Sequence, residues 1–124
     1  MARLLVVSVM LVALAGCAAL RGAPAQNFFV LFFVPGTSQL APEAQQIVRQ
    51  VAASAKAQKA TKIQVSVPPD TPGGAQLVEG RFTAIENILS ASGVDSKLYA
   101  RAPLMTAGPD IAGAANRAEI RLVR

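Results

Sequence analysis

Apolar residues recur along this chain in two rhythms, one of period two and one of spacings three and four, and the changes of rhythm mark out its elements. Phe28 to Val34 is an unbroken apolar run stopped by Pro35-Gly36, which predicts a central strand covered on both faces. Pro42 suits the first turn of a helix and is followed by Glu43, where the helix dipole favours a negative charge. Ala44, Ile47, Val48, Val51 and Ala55 then share one face through to about Gln58. Ile63-Gln64-Val65-Ser66-Val67 alternates as a strand with one face in the core, and Pro68-Pro69 ends it. Asp70 to Gly74 has the composition of a turn. A second amphipathic helix carries Val78, Phe82, Ile85, Ile88 and Leu89 and closes near Ser92-Gly93. Lys97 to Arg101 is a short strand, Ala102 to Ala115 a Gly- and Pro-rich loop, and Ala118 to Val123 a closing strand of alternating pattern. The order β-α-β-α-β-(loop)-β predicts an α/β (α+β) two-layer sandwich, with both helices against one mixed sheet. No internal repeat is visible.

The amino end follows a different rule. Met1-Ala2-Arg3 precedes an apolar run from Leu4 to Ala15 and then Gly16-Cys17, the charged, apolar, small-residue order of an export signal. The run is too short for a spanning helix, which needs about 20 apolar residues. Leu14-Ala15-Gly16-Cys17 resembles the lipobox of bacterial lipoproteins, in which the chain is cut before a cysteine that carries lipid. Cys17 is the only cysteine of the chain, and acylation explains an unpaired thiol in an exported protein. The expected organisation is a signal peptide over 1–16, lipidated Cys17 with a tether to residue 27, and one domain over 28–124. Residues 18–27 are small, polar and Pro-containing, and they reach at most roughly 33 Å.

Composition narrows the function. The net charge of +5 is carried by scattered Lys and Arg. With no Trp and one Tyr to stack bases, a solvated surface explains that charge better than nucleic-acid binding. There is no His, which removes common metal ligands and the commonest general base near neutral pH. No Ser-Lys, paired-carboxylate or glycine-rich phosphate signature replaces it, so no enzymatic activity, cofactor or metal is expected.

Longer stretches carry a family resemblance. Phe29-Val30-Leu31-Phe32-Phe33 and Ser38-Gln39-Leu40-Ala41-Pro42-Glu43-Ala44 are similar to the opening strand and Leu-Thr-Pro-Glu-Ala helix start of the OmpA-like domain, the peptidoglycan-binding module of OmpA and of peptidoglycan-associated lipoproteins. Ile63 to Gly73 matches, without a gap, that family's strand and Gly-His-Thr-Asp-x-x-Gly turn at its Ile, Val, Asp and Gly positions. Leu77-Val78-Glu79-Gly80-Arg81 stands where the family has Leu-Ser-x-Arg-Arg, Leu98 to Arg101 at its short third strand, and Asn116-Arg117-Ala118-Glu119-Ile120 at its Asn-Arg-Arg-Val-Glu-Ile end. The resemblance spans about Phe29 to Val123.

It implies a ligand, the diaminopimelate of the peptidoglycan stem peptide, with an ammonium and a carboxylate on one carbon. An Asp serves the ammonium and an Arg fork the carboxylate. By the resemblance these are Asp70 and Arg81, with Arg117 third. Taken as residues alone, Asp70 also fits a turn and Arg81 an exposed helix position. Arg117 matches either Arg of the family's closing pair, and a one-residue shift decides which face of its strand it occupies. Arg101 reads as a surface residue. Two departures stand out. Val67-Pro68-Pro69 replaces Gly-His-Thr, removing two N–H donors, and only eleven positions separate Asp70 from Arg81, fewer than in the family. The implied function is that of an outer-membrane lipoprotein binding peptidoglycan non-covalently. Ala18, where an Asp would signal inner-membrane retention in some bacteria, agrees with the outer membrane. The alternative is an OmpA-like fold that has lost wall binding and serves as a periplasmic protein-interaction module.

Overall fold

The computed structural model describes residues 26–69, 73–105 and 114–124. The signal and Cys17, most of the tether, Asp70 and much of the Gly- and Pro-rich loop lie outside the described residues. Among those described, no helix is long and apolar enough to cross a membrane.

Four strands form one mixed sheet: β1 (Phe28–Phe32), β2 (Lys62–Val67), β3 (Tyr99–Pro103) and β4 (Arg117–Val123). Their spatial order is β1-β4-β2-β3. β4 lies antiparallel to both β1 and β2, and β2 is parallel to β3. Two helices, α1 (Pro42–Gln58) and α2 (Gly74–Ala91), pack on one face of it. The predicted sandwich is therefore the observed one.

Alternation on the two inner strands and 3–4 spacing on the helices build one core. Ile63, Val65, Val67, Ala118 and Ile120 of the sheet and Val48, Val51, Ile85 and Leu89 of the helices are completely buried. Ala44, Ala52 and Ala55 of α1 are also buried, and side chains this short let the helix lie close to the strands. Pro at its first turn starts α1, and Lys59 in the left-handed conformation ends it, its N–H donating to the carbonyls of Ala55 and Lys56.

Two expectations are corrected. β1 is an edge strand, not a central one. Phe29, Leu31 and Phe33 face the core, whereas Phe28 is 37% and Phe32 49% exposed. An unbroken apolar run is compatible with burial on two faces, but both helices occupy the same side and nothing among the described residues covers the other. The third strand is also displaced, running from Tyr99 to Pro103 rather than from Lys97 to Arg101. Ser96–Leu98 first makes a single 3-10 turn, with the Asp95 side chain accepting from the Lys97 N–H at 3.0 Å, and Ala102 and Pro103 extend the strand into the expected loop.

Candidate functional site

β1, β2 and β3 run in one direction and β4 in the other, so three carboxyl ends and one amino end meet at a single edge of the sheet. The chain leaving β1 there folds into a tight turn. The Val34 N–H donates to the Gln39 carbonyl at 2.9 Å and the Thr37 N–H to the Val34 carbonyl at 3.0 Å. Gly36 takes a φ of 73°, open to glycine at no steric cost. The turn rests on α2 at Gly80, where a Cβ would come within 3.1 Å of the Ser38 Cβ.

Beneath this turn lies Arg81, completely buried. Its Nε donates to the Thr37 carbonyl at 2.9 Å, Nη1 to the Ala115 carbonyl at 2.7 Å and Nη2 to the Asn116 Oδ1 at 3.0 Å. The guanidinium carbon stands 4.9 Å from the centroid of the Phe33 ring, within cation–π range. All of these partners are electrically neutral, and among the described residues no carboxylate pairs with Arg81. Burial lowers its pKa, yet a guanidinium remains ionised in proteins. Three of its five N–H donors are engaged by these bonds. The arrangement is a desolvated cation held by dipoles and a π face, with donor capacity left for an anion.

The structure thus corrects the reading of Arg81 as an exposed helix residue: α2 carries it beneath the turn after β1 and the loop before β4, both of which it bonds. Arg117 lies elsewhere. Opposite Phe32 in the ladder, it projects from the uncovered face and its Nη2 bonds Glu119 Oε1 at 2.6 Å. That answers the one-residue ambiguity, since Arg81 and Arg117 stand on opposite sides of the sheet. Asp70 lies outside the described residues. Of the two substituted prolines, Pro68 is buried and Pro69 exposed.

Arg101 is 39% exposed, as a surface residue should be. It clasps α2 to β3, with Nε and Nη2 forking onto both oxygens of Glu86 at 2.9 and 2.7 Å and Nη1 on Glu79 at 2.6 Å. The hydrogen bonds it donates to Glu86 and then to Glu79 raise its pKa above the ordinary arginine value.

Asn116 is the residue of this cluster that sequence reasoning missed. Its Oδ1 accepts from both Arg81 and, at 3.3 Å, the Gly36 N–H, joining the two loops over the crevice. The Asn-Arg pair at the head of the closing strand was the available signal. Among the described residues, no group of His, Cys, Asp and Glu could hold a metal ion.

No protein-family model matches the sequence, and no curated protein matches it. Solved structures match its fold. The OmpA-like domain of FopA1 from Francisella tularensis superposes with a TM-score of 0.62 at 14% identity, over 77% of this chain and 73% of that one. The peptidoglycan-associated lipoprotein of Burkholderia pseudomallei gives 0.60 at 21% identity, over 79% and 91%. The periplasmic domain of Helicobacter pylori MotB gives 0.59 at 16% identity, over 81% and 78%. This chain has the OmpA-like fold, and at such identities the likeness is one of fold.

Proposed function

We propose that the chain is an outer-membrane lipoprotein, attached through lipid on Cys17, whose OmpA-like domain binds peptidoglycan non-covalently through the diaminopimelate of the stem peptide. The observation that carries the reading is Arg81. Isolating a guanidinium from water costs several kcal/mol, to within a factor of a few, and three neutral acceptors offset this without supplying a counter-charge. A carboxylate arriving at the crevice supplies one, and two N–H groups match its fork. Asp70, eleven positions upstream of Arg81, is the proposed partner for the adjacent ammonium. The reading is that of a tether, with no reaction catalysed.

The test is retention of the chain from Ala18 onward on purified sacculi. A stem peptide that contains diaminopimelate should compete. The same peptide with lysine in its place, which lacks the carboxylate beside the side-chain ammonium, should not. Asp70→Asn should weaken retention about tenfold or more, the loss of one charge-assisted hydrogen bond. Absence of retention, or equal competition by the lysine peptide, overturns the reading.

One observation favours a second reading. Every nitrogen of Arg81 already ties down a loop, which is what a structural clasp does in a fold that has lost its ligand and serves protein interaction. Absence of retention on sacculi, or retention unaffected by Asp70→Asn, supports that reading.

A further inference from the structure

The side of the sheet turned away from the helices has a composition of its own. Among the described residues, the exposed large apolar side chains are Phe28, Phe32, Val34, Met105 and Val123, and all five belong to this side. Phe28, Phe32 and Val123 project from it by strand alternation, and Val34 continues the outward rhythm of β1 at its rim. Met105 lines a groove of 260 Å³ with Phe28, Gln64 and Arg121. Lys62, Arg117 and Arg121 share the face, and the Arg121 guanidinium sits 5.4 Å from the Phe28 ring centroid. Its one acid among the described residues is Glu119, already paired with Arg117. The other described acids, Glu43, Glu79, Glu86 and Asp95, lie in the helices and the loop after α2.

We infer that this face, which neither helix covers, docks on an anionic lipid surface. Exposed rings among cations suit the phospholipid interface, where rings enter the acyl boundary and cations meet phosphates. A second copy fits poorly, because a face-to-face pair brings together the cations Lys62 and Arg121 of both copies, with Glu119 already paired to Arg117. Position adds a separate argument, which rests on the lipid anchor proposed above. Residues 18–27 separate Cys17 from Phe28, and a chain of that length reaches at most roughly 33 Å. A face held so close to a membrane is occupied even at weak intrinsic affinity.

Among the described residues the buried cluster runs from Phe29 to Leu122, and the chain from Ala18 onward, which lacks Cys17, carries no lipid. It should co-sediment with vesicles of phosphatidylglycerol and phosphatidylethanolamine, release in high salt, and ignore vesicles of phosphatidylcholine. At about fivefold per cation, Lys62→Gln with Arg121→Gln should lower partitioning about 25-fold. Phe28→Ser with Phe32→Ser should lower it about tenfold or more. Thermal midpoints should stay near the parent's, since all four side chains are exposed. No partitioning into anionic vesicles, equal partitioning into neutral ones, or variants that bind like the parent overturns the inference. A dimer in sedimentation equilibrium that dissolves in the Phe28→Ser, Phe32→Ser variant assigns the face to a second copy and overturns it too. Failure of the anchor reading shows separately, as absence of palmitate on Cys17.

Discussion

Asn116 places one oxygen between a backbone amide and a buried cation, and that geometry gives a sharp test of what Arg81 is for. In Asn116→Asp the oxygen stays as acceptor to both the Gly36 N–H and Arg81 Nη2, and the new carboxylate compensates the guanidinium from within the protein. Charge-assisted hydrogen bonds contribute about 1.5–3 kcal/mol, set against the cost of desolvating the carboxylate. The urea midpoint should therefore hold or rise. Sacculus retention should fall, since an occupied fork no longer wants an external carboxylate. A variant that folds and still binds shows that Arg81 is a clasp. Gly80 tests the same crevice sterically. Gly80→Val pushes methyl groups at Ser38 and should cost about 1–3 kcal/mol by overpacking, read as a lowered thermal midpoint. The identity of Arg81 as a candidate was legible from its motif, but its burial was not. The exposure of a helical arginine depends on which loops close over it, and those loops, Thr37 and Ala115–Asn116, are distant in sequence.

At the scale of elements, the two helices were legible because both bury apolar residues at spacings of three and four, and α1 also has a proline in its first turn. The strands were less so. Period two tells which residues of a strand share a face, but not which faces are covered, and the position of β1 at the sheet edge follows from its pairing with the last strand of the chain. The start of β3 was masked by a local competitor, the Asp95 side chain stabilising a turn at Lys97. The junction of β3 with α2 carries its own prediction. Arg101 holds Glu86 through two bonds and Glu79 through one, and the Glu86 side chain is 17% exposed against 62% for Glu79. Glu86→Ala should cost up to about 1 kcal/mol and Glu79→Ala close to nothing, because exposed pairs are screened and contribute little. Denaturation midpoints in low and high salt separate them: the Glu86 effect should shrink with salt.

At the scale of the whole molecule, the amino end and Arg81 lie at opposite ends of one strand. β1 begins at Phe28, and Arg81 bonds the turn that follows the other end of β1, about 17 Å away along a strand of this length. Among the described residues the core begins at Phe29, twelve positions after the proposed attachment at Cys17. Cys17→Ala should thus abolish labelling with palmitate and remove the protein from the outer-membrane fraction. The purified chain should keep its thermal midpoint and its affinity for sacculi. If attachment survives the substitution, a different anchor holds the protein. If affinity for sacculi falls instead, the amino-terminal segment contributes to the ligand site, and the separation of the two ends is wrong.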